Sequence, residues 1–225
     1  MTAKPRKPDQ ERHIFTEGID YLATGSESIW GSGDKETLKF LTDAEIKGKW
    51  LNLAAGDGRY NQILLRKADF VVASDIDGSA LGKLYNTTPK EYRKKLETKQ
   101  FDITKRFPFE GDSFDGVLCT GTLHLFPVLL LKKITAEIDR VLRHDGMIIM
   151  DFAAEAKRAR LDGKLYIIKN EPKYTISAAR ETLRRVFGSY ELRLTESSVP
   201  EETLREANPP YVFSSRFILL VGRKR

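Results

Sequence analysis

Cysteine is almost missing from this chain, with one thiol, Cys119, among 225 residues. A single thiol excludes an intramolecular disulfide framework and a zinc site built from several thiolates. Histidine is scarce too. His13, His124 and His144 are scattered along the chain, so no metal site is expected. No uninterrupted apolar run approaches the ~20 residues that cross a bilayer. The opening MTAKPRKPDQERH is polar and lacks the apolar core of a signal peptide; residues 1–13 read as a loose basic arm. Together these absences predict a soluble, cytoplasmic protein that does not engage a membrane.

What is present is ordinary globular material. Hydrophobic residues make up 40% and charged residues 31%, and 38 Lys+Arg against 32 Asp+Glu leave a net charge of +6. Asp34 is a plausible N-cap for a helix carrying Leu38, Leu41 and Ile46. Trp50-Leu-Asn-Leu-Ala is a short apolar run that breaks at Gly56 and Gly58, as a buried strand does when it ends in a tight turn. A helix over Tyr60–Lys67, a strand over Phe70–Ser74 and a helix over Ser79–Tyr85 follow. Further strands are expected at Lys99–Ile103, Phe114–Thr120 and Met147–Phe152, with a long helix over Leu125–Leu142. Apolar strands alternating with helices argue for a parallel sheet covered on both faces. Beyond residue 152 the pattern changes. An Asp162-Gly163 turn suggests a hairpin, then come a helix near Ser177–Phe187, a strand near Tyr190–Leu194 and a last strand around Arg216–Gly222.

The segment Leu51-Asn-Leu-Ala-Ala-Gly-Asp-Gly-Arg lies between a buried strand and a helix. Small residues there let a ligand approach the backbone closely, with helix N–H groups facing the same space. Asp75 follows Gly56 by nineteen positions, at the end of the next strand, where a carboxylate can accept from both hydroxyls of a ribose. A helix-entry turn with a capping Asp is the plainer reading of the same residues.

These residues resemble the class I S-adenosylmethionine-dependent methyltransferases of the small-molecule type 11 kind, over roughly residues 48–152. The glycine turn from Asn52 to Gly58, Asp75, and the Asp102-Ile103 pair come in the family's order. So do Phe107-Pro-Phe-Glu-Gly-Asp-Ser-Phe-Asp-Gly-Val-Leu, Thr120-Gly-Thr-Leu-His-Leu-Phe and Arg140-Val-Leu-Arg-His-Asp-Gly. The resemblance implies a single α/β domain over residues 14–225: a doubly wound, Rossmann-like, seven-stranded sheet, mostly parallel with the last strand reversed. Residues 14–47 would form an N-terminal lid and helix, 48–152 the cofactor-binding core, and 153–225 the substrate-side hairpin, helix and last two strands.

The resemblance further implies S-adenosyl-L-methionine as cofactor, at the carboxyl ends of the first four strands. Asn52, Ala54, Ala55, Gly56 and Gly58 would line its methionine part and Thr120 the methionine end. Asp75 would hold the ribose hydroxyls and Ile76 would pack on the adenine. Asp102 would accept from the adenine amino group, with Ile103 donating a backbone N–H. The chain departs from the family's pattern at Asn52, where an acid is usual, and at Ala54, where the first glycine is usual. The lost charge at Asn52 implies weaker binding of the cofactor's cationic amino end.

Methyl transfer asks the protein mainly for orientation and a water-poor pocket. His124, just past the fourth strand, is the candidate general base where an acceptor must lose a proton; its plainer role is to open the next helix. Tyr21 and Trp30 are candidates for the lid over the acceptor, or ordinary half-buried aromatics. Cys119 falls in a buried strand and reads as core. Asn208-Pro-Pro-Tyr211 matches the tetrapeptide of amino-group methyltransferases but not its position after strand four, so it reads as a rigid turn, with Tyr211 able to line the acceptor pocket. The acceptor is expected to be a small molecule. Segments 90–106 and 157–185, with local charges of +4 and +6, leave an RNA acceptor open, and a protein acceptor is the other alternative within the class. Oligomeric state is not readable. Two other classes stand beside this reading: a non-enzymatic binding subunit on the same fold, and a nicotinamide-dependent oxidoreductase. None of the eight tyrosines has a lysine four residues on, against the short-chain oxidoreductases.

Overall fold

The computed structural model describes residues 18–168 and 170–225, and of residues 199 and 200 only the backbone. The expected basic arm over 1–13 therefore lies outside the described residues, as do residues 14–17 of the expected lid.

The strands β1 (Lys49–Leu53), β2 (Phe70–Asp75), β3 (Leu96–Gln100), β4 (Phe114–Cys119), β5 (Leu142–Arg160), β6 (Tyr190–Leu204) and β7 (Tyr211–Lys224) form one sheet in the order β3-β2-β1-β4-β5-β7-β6. Pairing is parallel from β3 to β5, and β7 runs antiparallel to both β5 and β6. The helices are α1 (Lys35–Asp43), α2 (Asn61–Lys67), α3 (Gly78–Thr87), α4 (Lys90–Arg93), α5 (Val128–Val141) and α6 (Ile176–Val186). This is the α/β, Rossmann-like architecture with a reversed strand. No described helix is long and apolar enough to cross a membrane.

The strands alternate because both sheet faces are buried. Trp50, Leu118, Ile149 and Leu219 face the cluster that holds Leu41 of α1, Leu64 and Leu65 of α2 and Leu84 of α3. Leu51, Leu53, Val117, Cys119, Ile148, Met150, Ile218 and Leu220 face the opposite cluster, with Ile134 and Ile138 of α5 and Leu183 of α6. Cys119 is thus core, fully buried, its thiol pushed far up by burial. Asp34 caps α1 as expected, its Oδ2 accepting from the Thr37 amide at 2.9 Å.

Three boundaries differ from the expectation. The third strand lies at Leu96–Gln100 rather than 99–103, because Leu96 pairs with Val71 and the chain turns at Asp102, whose Oδ1 accepts from the Thr104 amide. The long helix opens at Val128 after Pro127, residues Leu123–Leu125 forming a separate 3₁₀ turn. Strands β5, β6 and β7 span 19, 15 and 14 residues, far beyond the expected lengths. The outer halves of β5 and β6 are largely polar, so backbone pairing with β7 rather than apolar patterning holds them extended. Bulges between Ala154 and Lys157 and between Val199 and Glu202 separate each outer half from the part buried in the main sheet.

Candidate functional site

The carboxyl ends of β1, β2, β3 and β4 open into a cavity of ≈ 220 Å³, and the outer halves of β5, β6 and β7 form its far wall. Its floor is the turn after β1. Ala54 and Gly56 both take left-handed backbone, φ 54° and 55°. Alanine there bears a strain of roughly 1–2 kcal/mol that glycine would not. A Cβ on Gly56 would lie 3.6 Å from Trp30 Nε1, so the lid indole sits over this turn.

Asp75 ends β2 beside the turn. Its Oδ2 accepts from the Gly56 amide at 2.8 Å and its Oδ1 from the Asp77 amide at 2.9 Å. An ionised carboxylate has about four acceptor positions, so capacity remains on both oxygens. Burial raises its pKa, and the two backbone donors oppose that rise. Asp75 joins no ion pair among the described residues. Such a carboxylate, beside a turn of small residues, fits a ribose-bearing ligand.

The other sequence candidates fall into three groups. Asn52, Ala54, Ala55, Gly56, Asp75, Ile76, Asp102, Ile103 and Thr120 all line the one cavity. So do Tyr21, Trp30, His124 and Tyr211. Gly58 does not. It stands behind the turn, where a Cβ would meet Leu84 Cγ at 2.9 Å, so its place in the line of cofactor contacts is corrected to a packing role. Asn52 turns its amide toward Asn61, Nδ2 donating to Oδ1 at 3.1 Å, and Asn61 Nδ2 is left buried without a partner. Asp102 gives one oxygen to Thr104, whose amide and hydroxyl both donate to it, and keeps the other.

His124 lies at the end of the cavity near Phe152 and is almost fully buried, with Nδ1 unpartnered. Burial, aided by the nearby Arg158, lowers its pKa to about 3. The ring is therefore neutral at ordinary pH, and a conjugate acid that strong makes a poor general base. Its chemistry is that of a neutral hydrogen-bonding group.

The segment before α1 is held by a buried cation. Lys83 Nζ of α3 donates to Asp57 Oδ2 and Glu27 O at 2.8 Å and to Thr24 Oγ1 at 2.7 Å. Asp57 also accepts from Ser28 Oγ and the Ile29 amide. The Asp57–Lys83 pair is almost fully buried and locks residues 24–30 onto the turn that bears Gly56. Asp34 ties this segment to the far wall, its Oδ1 accepting from Ser197 Oγ of β6. Tyr21 hydrogen-bonds with Trp30 above Asp75, and burial together with Asp75 and Asp57 holds its phenol protonated.

Residues 51–150 match the family model of the methyltransferase domain. Over that stretch the chain is similar to methyltransferase domains. A curated relative, a glycine/sarcosine N-methyltransferase from Aphanothece halophytica, is 38% identical over 106 residues, 45% of this chain; the chain spans 38% of that relative's length. Among solved structures, an S-adenosylmethionine-dependent methyltransferase from Methanosarcina mazei superposes with TM-score 0.59 at 16% identity, covering 83% of this chain and 96% of that one. Phosphoethanolamine N-methyltransferase 1 of Haemonchus contortus, solved with phosphoethanolamine and S-adenosylhomocysteine, gives TM-score 0.58 at 16% identity, covering 84% and 42%. At that identity the likeness is one of fold.

Sequence reasoning missed much of this domain's far wall. Arg158, Glu202, Leu204, Phe213 and Phe217 line the cavity from β5, β6 and β7, and nothing local in those segments marks them. Arg59 stood inside the quoted glycine segment without being singled out. Asp77 follows Asp75 closely and caps α3, accepting from Ser79.

Proposed function

We propose that this protein transfers a methyl group from S-adenosylmethionine to a small-molecule acceptor enclosed between the turn after β1 and the outer halves of β5–β7. The observation that carries this is Asp75, a half-buried carboxylate oriented by two backbone donors, with acceptor capacity left facing a cavity floored by Ala54, Ala55 and Gly56. The bound cofactor supplies an activated methyl on a sulfonium, so the chain's own residues need only bind, orient and exclude water. Asp75 takes the ribose hydroxyls, Ile76 and Ile103 flank the adenine, and the free oxygen of Asp102 accepts from its amino group. Thr120 and the Ala54–Gly56 backbone line the methionine end. Asn52 contributes a dipole there and no charge.

Tyr21 and Trp30 close the cavity, and the segment up to residue 47 acts as a lid held by Asp57 and Lys83. His124 offers a neutral imidazole toward the acceptor and does not serve as the base. An enclosed site favours a small acceptor over RNA. The basic balance of 157–185 is also partly neutralised, since Arg158 pairs with Glu171 and Arg180 with Glu196.

Calorimetric titration of the protein with S-adenosylhomocysteine, beside Asp75→Ala, tests the assignment. Binding in the micromolar range is expected, and a loss of at least about 100-fold in the variant, as for two charge-assisted hydrogen bonds. No binding by a cooperatively folded sample would overturn the assignment in favour of a non-enzymatic scaffold.

A further inference from the structure

Beyond Asp75 and Asp102, assigned to the cofactor, and the helix-capping Asp77, two charged side chains on the cavity wall join no ion pair among the described residues. Arg59 follows the glycine turn; its Nη1 donates to the Trp30 carbonyl at 2.9 Å and its guanidinium lies 5.0 Å from the centroid of the Tyr60 ring. Glu202 enters the same cavity from β6, half-buried. Among the described residues neither joins an ion pair or, for Glu202, any hydrogen bond, although each lies within electrostatic reach of the other. The wall's other cation, Arg158, has an ionic partner in contrast, its Nη1 donating to both Glu171 oxygens at 2.6 and 2.7 Å, although its buried Nε has none.

A flexible Arg and Glu of opposite charge facing one small cavity would ordinarily meet. Here the Trp30 carbonyl and the Tyr60 ring hold the guanidinium in place, and it forms no ion pair with Glu202 although both line the cavity. We propose that the acceptor is a small zwitterion of the amino-acid type, its carboxylate held by Arg59 and its ammonium by Glu202, with Trp30, Tyr211 and Phe213 enclosing it. This inference rests on the methyltransferase assignment above and names its substrate class.

The charges discriminate among ligand classes. A guanidinium carries five N–H donors, and the single bond to Trp30 leaves four for a carboxylate, which it recognises with two parallel bonds. Burial holds the Glu202 carboxyl above its usual range, with Arg59 opposing the shift, so a cation placed beside it relieves a real cost. A simple anion would leave Glu202 uncompensated, and a simple amine would leave the remaining Arg59 donors unused. Only a ligand with both charges satisfies both walls. The acceptor nitrogen must shed one proton before its lone pair can attack, and Glu202 receives it. The C–N bond then forms as the C–S bond breaks, with that bond's electron pair remaining on sulfur.

The test measures methyl transfer from tritiated S-adenosylmethionine to each of the twenty standard amino acids and sarcosine. The best acceptor is then compared with its decarboxylated amine and its deaminated acid. Expected are methylation of at least one amino acid and a fall of about 10–100-fold in kcat/KM for each truncated analogue, the scale of one lost charge-assisted contact. Arg59→Gln should fall similarly, mainly through KM, and Glu202→Gln should fall at least as far through both kcat and KM, with Glu202→Asp recovering part of the loss. Glu202→Gln should bind S-adenosylhomocysteine within about twofold of the native protein and melt cooperatively, which separates a misfolded variant from a lost contact. If S-adenosylhomocysteine binds but no amino acid is methylated, or if both Gln variants keep native kcat/KM, the zwitterion proposal is overturned and the cofactor assignment stands. If S-adenosylhomocysteine does not bind at all, the assignment beneath it fails too.

Discussion

The two halves of the sheet build their walls of the cavity by different means. From β1 to β4 the strands are five or six residues long, and the groups facing the cavity sit at the strand ends or on the loops just past them: Asn52, Gly56, Asp75, Asp102, Thr120. From β5 to β7 the strands run on past the core, bulge, and carry the cavity groups on the strands themselves: Arg158, Glu202, Phe213. The first half fixes small residues and backbone donors rigidly, which suits a ligand of constant shape. The second half presents side chains on a bulged, half-exposed extension, a surface that substitutions can reshape without disturbing the core. The lid joins the two, tied to the first by Asp57–Lys83 and to the second by Asp34–Ser197.

Breaking the tie to the first half should have the largest effect. Lys83→Met leaves Asp57 as a buried charge with no cation, and removing one partner of a buried pair typically costs about 3–5 kcal/mol. Urea denaturation should show a loss of that size, together with weakened S-adenosylhomocysteine binding as residues 24–30 release from the turn.

Asp151 comes next. This β5 carboxylate is wholly buried, its Oδ1 accepts from the Gly121 amide and its Oδ2 has no partner. Burial raises its pKa from 3.8 to about 6, against the opposing effects of Arg59 and the Gly121 amide. Between these values the folded state binds the proton more tightly than the unfolded chain, so stability falls as pH rises through this window. Relative to Asp151→Asn, the native protein should lose roughly 3 kcal/mol between about pH 4 and pH 7. Parallel curves for the two proteins in urea titrations across that range would show that Asp151 is not the group responsible.

The contrast between the walls is sharpened by Phe213→Ala. Losing a half-buried ring from the strand wall should raise the acceptor KM about tenfold while leaving S-adenosylhomocysteine affinity unchanged, since no Phe213 atom belongs to the loop wall. An equal loss of both would mean the halves are not separable. The smallest effect is expected from Asn52→Asp. Asn61 Nδ2, now without a partner, could donate to the new carboxylate, so the fold should tolerate it. The added charge beside the cofactor's amino end should tighten S-adenosylmethionine binding several-fold and S-adenosylhomocysteine binding by a similar factor, read by calorimetry.

The half that is legible in the sequence is the half built locally. Trp50–Leu53 and Phe70–Ser74 are continuous apolar runs because both their faces are buried, and the glycine turn and Asp75 follow each strand at fixed distance along the chain. The other half leaves little trace. Glu155–Arg160 and Glu196–Leu204 look like polar loop, since their backbone groups are satisfied by partners some sixty residues or fewer away in β7 rather than by any local pattern. Arg158 and Glu202 carry no local mark of function for the same reason. The buried pair Asp57–Lys83 joins positions twenty-six apart, on elements whose contact only the fold creates.

The sequence by itself determined the class of fold, the loop wall of the cavity and the core place of Cys119, because each depends on residue types and spacings within a short stretch of chain. Tertiary structure alone decided that His124 would be neutral, that Gly58 would pack behind the turn, that the lid would be clamped by Lys83, and that Arg59 and Glu202 would face one cavity unpaired. Those properties come from burial and from charges brought together by pairing between distant strands, and neither is written in any one segment.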